Sequence, residues 1–383
     1  LTLAASAAAT LFAAGPAAAA IDRNAAERAL LEAAVLCKGG KALWGADLCG
    51  PMLIVDPQSR EAFGNRPGAG LAPAGAYFVG ALPAGQPVYN GVLDWNGRRW
   101  TMVMSTALGD DPYERATLLM HEAWHRIQRD LGLPMNSPSI DYLATPMGRA
   151  MMRLEWRALA VAMGAENEEV RLRAIADALA FREFRRWTET GPELERQLEM
   201  NEGLAAYTGH RLSGRPDVEA HVARTLARME TGRSFSRSFA YGSGPAYGLL
   251  LDRYAPRWRH RLKARDDLGR LLERAIGSRR LGGHVDVTAA QARYGGEAVF
   301  AEESARHQDR VKAEAAWTAR LVDGPVLRIA LADTQFSFDP TNVTPLAPHG
   351  SVYPTAEFSG PWGALKVQDE ALIYTTASIV AVQ

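Results

Sequence analysis

The sequence predicts an α+β protein, in which a small N-terminal mixed sheet packs on a mainly helical domain and a small C-terminal β domain follows. Three observations lead to this fold class. Short β-type runs lie within residues 52–107, and helix-type spacing with capping signals extends from residue 112 to about residue 320. Residues 321–383 are rich in Thr, Val, Tyr, Gly and Pro and have no helical period.

Length and charge limit the class of protein. The 383 residues are enough for two or three domains, each with its own core. Lys and Arg together number 43, as do Asp and Glu, so the formal net charge is zero. This balance gives no reason to expect nucleic acid or an anionic membrane as a partner.

Residues 1–20 are uncharged and apolar and end in a run of alanines. They resemble the apolar region and cleavage site of a secretory signal, and we interpret them as a signal peptide remnant. A buried, alanine-rich helix is the alternative. The signal predicts export to the periplasm or the medium. No later stretch has the ~20 apolar residues of a membrane span, so we expect no transmembrane segment in the mature chain.

Export would make the two cysteines informative. Cys37 and Cys49 are separated by a glycine-containing loop, and in an oxidising compartment such neighbours are expected to form a disulfide. Closing so short a loop stabilises a fold by about 2–3 kcal/mol. Two separate buried thiols are the alternative.

Residues 21–110 are predicted to form an N-terminal α/β subdomain that begins with a helix at 23–36. Four runs read as strands: 52–56, 76–80, 87–95 and 98–107. Asn96-Gly97 between the last two is a hairpin signal. From chain order, we expect the strand at 98–107 to be an edge strand along which an extended substrate could lie.

Residues 111–320 are predicted to form the helical domain, and residues 321–383 the C-terminal β domain. Helix starts are expected at three segments: Thr145-Pro146, Thr190-Gly191-Pro192 and Pro216-Asp217. Helix ends are expected at three glycines: Gly132, Gly164 and Gly209.

One helix of this domain carries the segment "ATLLMHEAWHRIQ", residues 116–128. Asp111 and Pro112 supply a cap and a first helical residue for it. His121 and His125 are four residues apart, so both imidazoles project from one face and can bind one metal ion. Glu122 is offset by one residue and can act on water without being a ligand. This is the H-E-x-x-H arrangement of zinc peptidases. Two histidines without a metal are the alternative.

A catalytic zinc needs a third protein ligand, and two glutamates are candidates. Glu202 lies in "LEMNEGLAAYTG", where small residues (Gly203, Ala205 and Ala206) would let its helix approach the first one closely. Glu155 lies in "MMRLEWRALA" among larger neighbours. Arg153 and Arg157 beside Glu155 predict local ion pairs and favour a supporting role for it, so Glu202 is preferred.

"HEAWH" followed by "NEGLAAY" resembles the gluzincin zinc peptidases, in particular their aminopeptidase-N-like members. The resemblance covers roughly residues 98–255. It implies Zn²⁺ as cofactor, His121, His125 and Glu202 as its ligands, and Glu122 as general base. The gap from His125 to Glu202 is longer than is usual in that family, which keeps Glu155 open as a ligand. A Gly-Ala-Met-Glu-Asn type motif is also missing, which argues against a true aminopeptidase.

In the same family a Tyr-x-x-Gly segment opens a helix beyond the glutamate, and "FAYGSGPAYGLLLDRY" resembles it at Tyr241-Gly242-Ser243-Gly244. By this likeness Tyr241 would stabilise the oxyanion, with Gly242 and Gly244 freeing the backbone so that the phenol can swing. Tyr247 is the competing phenol, and simple packing of Tyr241 at a helix entry is the alternative.

Together these features predict a zinc-dependent peptidase that acts on a peptide or protein substrate. A non-catalytic, zinc-containing binding or assembly protein of the cell envelope is the competing class. Glu122 favours the peptidase, because a structural zinc site needs only ligands, and a metal analysis combined with a hydrolysis assay distinguishes the two classes.

Overall fold

The computed structural model describes residues 21–83, 85–187, 191–338, 343–376 and 378–381. The predicted signal remnant at 1–20 lies outside these residues. In the part of the chain that the structure describes, we find no helix with the length and apolar character of a membrane span.

The α+β prediction is confirmed, with a mixed N-terminal sheet and antiparallel C-terminal sheets. The α-helices of the described residues are α1 Arg23–Leu36, α2 Gly40–Trp44, α3 Pro112–Gln128, α4 Pro146–Gly164, α5 Glu168–Arg185, α6 Gly191–Leu198, α7 Leu204–Leu212, α8 Val218–Met229, α9 Ala240–Tyr254, α10 Leu268–Ile276, α11 Val287–Arg293 and α12 Gly296–Trp317. The strands are β1 Met52–Val55, β2 Glu61–Gly64, β3 Leu71–Ala74, β4 Tyr77–Ala81, β5 Gly91–Trp95, β6 Arg98–Met104, β7 Leu327–Ala330, β8 Gln335–Phe338, β9 Thr344–Leu346, β10 Gly350–Tyr353, β11 Ala356–Gly360, β12 Gly363–Val367, β13 Ala371–Tyr374 and β14 Ser378–Ala381.

The chain divides into two compact units. Unit 1 comprises the described residues of Leu1–Met135, with Ala205–Pro216 and Arg259–Ala264. Unit 2 comprises the described residues of Asn136–Leu204, Asp217–Trp258 and Arg265–Gln383.

Unit 1 is built on a six-stranded sheet of order β3-β4-β2-β1-β6-β5, in which β1 and β6 are parallel and the other pairs antiparallel. Alternate side chains of β1, β5 and β6 form one core cluster that includes Trp95 and Trp100. Helix α3 packs against β5 and β6. The sheet therefore supports the helix that carries the two motif histidines.

The predicted hairpin is confirmed, whereas the predicted edge is wrong. Asn96 and Gly97 both have positive φ, 51° and 70°, as a two-residue type I′ turn requires. Strand β6 pairs with β1 on one side and with β5 on the other, so it has no free edge. The hairpin itself places β5 outside β6. Strands β2 and β3 were not predicted; β3 contains a proline and lies at the edge of the sheet, where proline is tolerated.

The helix boundaries follow the capping signals at most positions. Asp111 caps α3 by accepting hydrogen bonds from the Tyr113 and Glu114 amides, and Thr145 caps α4 through the Gly148 amide. Gly209, however, does not end a helix, since α7 continues to Leu212. A Cβ at Gly209 would lie 2.3 Å from the Thr117 carbonyl oxygen. The glycine is required because α7 passes very close to α3.

The predicted disulfide between Cys37 and Cys49 is present, with the two Cα atoms 4.9 Å apart. The loop that it closes contains α2. Trp44 at the end of α2 packs against Trp124 of α3, with ring centroids 5.5 Å apart, and donates a hydrogen bond to Thr208. The disulfide thus holds a segment that packs directly on the motif helix.

Unit 2 consists of packed helices and the C-terminal strands. Helix α4 contacts α5, α8, α9 and α12. The strands form a five-stranded sheet of order β7-β14-β13-β10-β9 and a three-stranded sheet of order β12-β11-β8, as the composition of the tail predicts.

Candidate metal centre

The two motif histidines lie side by side on α3. His121 and His125 are both buried, and their Nε2 atoms are 3.1 Å apart. Two imidazole nitrogens that each bind a tetrahedral zinc at ~2.0–2.1 Å lie about 3.3 Å apart. The observed separation is that of an N–H···N hydrogen bond between the two rings, and it is also close to the separation of two nitrogens that share one ion.

His125 has a hydrogen-bond partner that the sequence reasoning missed. Its Nδ1 is 2.7 Å from Oε1 of Gln128, a fully buried residue three positions further along the same helix. The helical spacing of i and i+3 was the available signal, since such residues are neighbours on a helix face.

Glu122 follows His121 directly and is also buried. On a helix its side chain leaves at ~100° from that of His121, so it is not directed along the same line as the imidazoles. Burial, and then the charges of Asp94 and Glu122, raise the pKa of Tyr89. The charge of the Glu122 carboxylate thus acts on the phenol of Tyr89.

Glu202 lies in a π-helical segment, Glu199–Gly203, between α6 and α7. Isolated π turns inside helices are frequent at functional sites. Asn201 Nδ2 donates to one oxygen of Glu202 at 3.0 Å, and the Tyr241 hydroxyl donates to the other at 2.7 Å. The carboxylate is therefore oriented by two neutral donors, which leave its charge intact.

Gly203 and Gly244 explain how Tyr241 reaches Glu202. A Cβ at Gly244 would lie 2.3 Å from the Gly203 Cα, so the π-helical segment and α9 are in backbone contact. A Cβ at Gly242 would lie 2.8 Å from Leu226 and Met229 of α8. Both glycines of α9 thus serve close helix packing, instead of freeing the backbone for a swing of the phenol. The sequence predicted that Gly203 would allow a close approach to α3, but that close approach is made at Gly209.

His121, His125 and Glu202 form a group that could hold a metal ion. One ligand atom from each residue lies within 4.8 Å of the others. Two imidazoles and a carboxylate are the donor set of one class of catalytic zinc site, which keeps a fourth position open. Three of the residues predicted from sequence are therefore brought together, and their donors fit zinc.

Glu199, three residues before Glu202, fixes the π-helical segment inside unit 2. Its carboxylate accepts hydrogen bonds from Arg182, with one contact at 2.8 Å, and from Arg186 at 3.4 Å. Burial raises the pKa of Glu199 against the opposing effect of these guanidinium groups. Arg182 and Arg186 also pair with Asp267, which caps α10. The backbone that presents Glu202 is thereby tied to two other helices, α5 and α10.

Glu155, the alternative ligand, is fully buried in the same network. One of its oxygens accepts from Arg182 at 3.1 Å and from the Tyr247 hydroxyl at 2.8 Å, and the other accepts from Arg185 at 2.5 Å. The expected local pairing is wrong: Arg153 and Arg157 instead bind glutamates of other elements, among them Glu230. On a helix, neighbours in sequence point to different sides, which explains the error.

The two candidate tyrosines have different surroundings. Tyr241 lies in the first turn of α9 and is 42% exposed, with its hydroxyl on Glu202. Tyr247 is fully buried, and the Arg182 guanidinium lies 4.7 Å from its ring centroid. Of the two phenols, Tyr241 is bonded to a member of the three-residue group.

Comparisons of this chain with family models, with curated proteins and with solved structures give no match. The candidate site therefore depends on the geometry of the chain's own residues.

Proposed function

We propose that this protein is a zinc-dependent peptidase of the gluzincin type, with His121, His125 and Glu202 as the metal ligands. The observation that carries the proposal is the grouping of these three donors, with the two Nε2 atoms 3.1 Å apart. The two buried imidazole nitrogens are hydrogen-bonded to each other, and the same spacing lets both bind one cation when each presents its lone pair. Glu202 adds a negative charge, as suits a divalent ion.

A zinc ion held there would supply Lewis acidity, lowering the pKa of a bound water towards ~7 and polarising the scissile carbonyl. The chain's own residues perform the proton transfers. Glu122 takes a proton from the attacking water and delivers it to the leaving amine as the peptide bond breaks. The Tyr241 hydroxyl, whose one proton is donated to Glu202 in this structure, would turn from that carboxylate to donate a hydrogen bond to the negative charge that develops on the carbonyl oxygen.

The proposed substrate is a peptide or protein, and the proposed location is the periplasm or the extracellular space. The Cys37–Cys49 disulfide supports this location, because disulfides persist in oxidising compartments. A charge balance of 43 cationic against 43 acidic side chains gives no support for a nucleic-acid substrate.

Metal removal tests the proposed activity. We expect the purified protein to hydrolyse fluorescein-labelled casein or members of a quenched-fluorescent peptide library. Treatment with 1,10-phenanthroline should abolish hydrolysis, and one equivalent of zinc, added after the chelator has been removed by dialysis, should restore it. Wild-type protein that binds zinc but cleaves no member of either substrate set would instead support the non-catalytic envelope protein.

A further inference from the structure

Gln128 has both ends of its side-chain amide engaged. Its Nε2 donates a short hydrogen bond to the Pro134 carbonyl oxygen, and its Oε1 lies 2.7 Å from His125 Nδ1. The reverse amide orientation would bring two acceptors, Oε1 and the Pro134 oxygen, face to face. The amide oxygen therefore faces the imidazole, and an amide oxygen only accepts. It follows that His125 Nδ1 carries the proton and that Nε2 presents its lone pair.

The chain segment after α3 delivers the Pro134 carbonyl to this position. Gly132 has φ 68°, its amide donates to the Arg129 carbonyl at 2.9 Å, and the Leu133 amide donates to the Gln128 carbonyl at 3.2 Å. These are the two hydrogen bonds of a Schellman helix end, which turns the chain back over the last helical turn. The end of α3 thus fixes the side chain of Gln128, which in turn fixes His125.

We propose that Gln128 is the positioning residue that prepares His125 for metal binding, by holding the ring in the tautomer with the proton on Nδ1. The inference rests on the metal site of the proposed function. Without Gln128, the imidazole would exchange between tautomers and rotate about its side-chain bonds. Loss of a hydrogen bond between a metal ligand and such an outer partner typically lowers the metal affinity by about 10–100-fold.

The tautomer is measured directly by ¹⁵N NMR on histidine-labelled, metal-free protein, at about pH 8, where a histidine with an ordinary pKa of ~6.5 is neutral. The His125 signals are assigned by their loss in His125→Gln. We expect wild-type His125 to carry its proton on Nδ1, and Gln128→Met to show exchange between both forms. Gln128→Glu loses the hydrogen bond to the Pro134 carbonyl, so its second oxygen has to turn away from that carbonyl, but it keeps an acceptor for the Nδ1 proton and should restore the wild-type tautomer.

The affinity is measured with Co²⁺ and Zn²⁺ in competition with a chelating dye. Gln128→Met should bind both ions about 10–100-fold more weakly than wild type, and Gln128→Glu within about 10-fold of it. Gln197→Met, a change of the same size on α6, should have no effect. A Gln128→Met protein with unchanged tautomer and unchanged affinity would overturn the proposal, even if its thermal stability falls. Neither the tautomer nor the metal affinity is measured with a substrate, so these experiments test the role of Gln128 independently of whether the protein hydrolyses peptides.

Discussion

Replacing Glu122 by Gln is expected to lower kcat by about 10²–10⁴-fold, the usual contribution of a positioned general base or acid. The amide has the shape of the carboxylate but cannot accept the proton of the attacking water. Glu122 is not among the three grouped donors, so zinc content should not change. Zinc content by plasma mass spectrometry and hydrolysis of labelled casein measure the two effects.

Glu114→Gln is the matched control, because Glu114 is an exposed glutamate in the first turn of the same helix. It should retain both zinc and activity. A Glu122→Gln protein with wild-type kcat would remove Glu122 from the mechanism. Loss of zinc in that variant would make Glu122 a metal ligand.

Tyr241→Phe is expected to lower kcat by about 10²–10³-fold with a smaller effect on KM, as for loss of one oxyanion donor. The ring remains, so packing in the first turn of α9 is preserved. Because the hydroxyl also bonds to Glu202, kcat has to be measured at saturating zinc, and zinc affinity separately. A variant with weaker zinc binding but wild-type kcat when loaded would restrict Tyr241 to positioning Glu202.

Tyr247→Phe is the matched control for this experiment. Its hydroxyl donates to Glu155 inside the arginine–carboxylate network, so removal should reduce thermal stability and leave kcat of the zinc-loaded protein unchanged. A loss of kcat confined to Tyr247→Phe would transfer the role to that residue.

Local signals in the sequence predicted the elements that position the site. The Asp111 cap, the Asn96-Gly97 turn and the fold class depend on interactions between near neighbours, which a single sequence carries. The pairing of His121 with His125 follows from helical spacing in the same way. The disulfide could be predicted because its two cysteines are close in sequence and are the only two in the chain.

The errors arose where distant segments decide the outcome. The position of β6 inside the sheet depends on β1, which lies more than forty residues earlier in the chain. Gly209 does not end α7, because this glycine is needed for the close approach of α7 to the Thr117 backbone of α3. The partners of Glu155 come from α5 and α9, and neither they nor the π-helical segment that contains Glu202 leaves a periodic signal in the sequence.

Zinc binding at a buffered free zinc concentration tests the central claim, that His121, His125 and Glu202 hold one zinc. Wild-type protein should bind about one zinc per chain, and His121→Ala, His125→Ala and Glu202→Ala should each weaken binding by more than ~100-fold, beyond the effect of losing an outer hydrogen bond.

His284→Ala, at an exposed position, and Glu155→Gln should stay within about 10-fold of wild type. The Glu155→Gln thermal transition should nevertheless fall by about 6–20 °C, because a buried ion pair is broken. Full zinc content in both histidine variants would contradict the site, and a larger loss in Glu155→Gln than in Glu202→Ala would transfer the third ligand to Glu155.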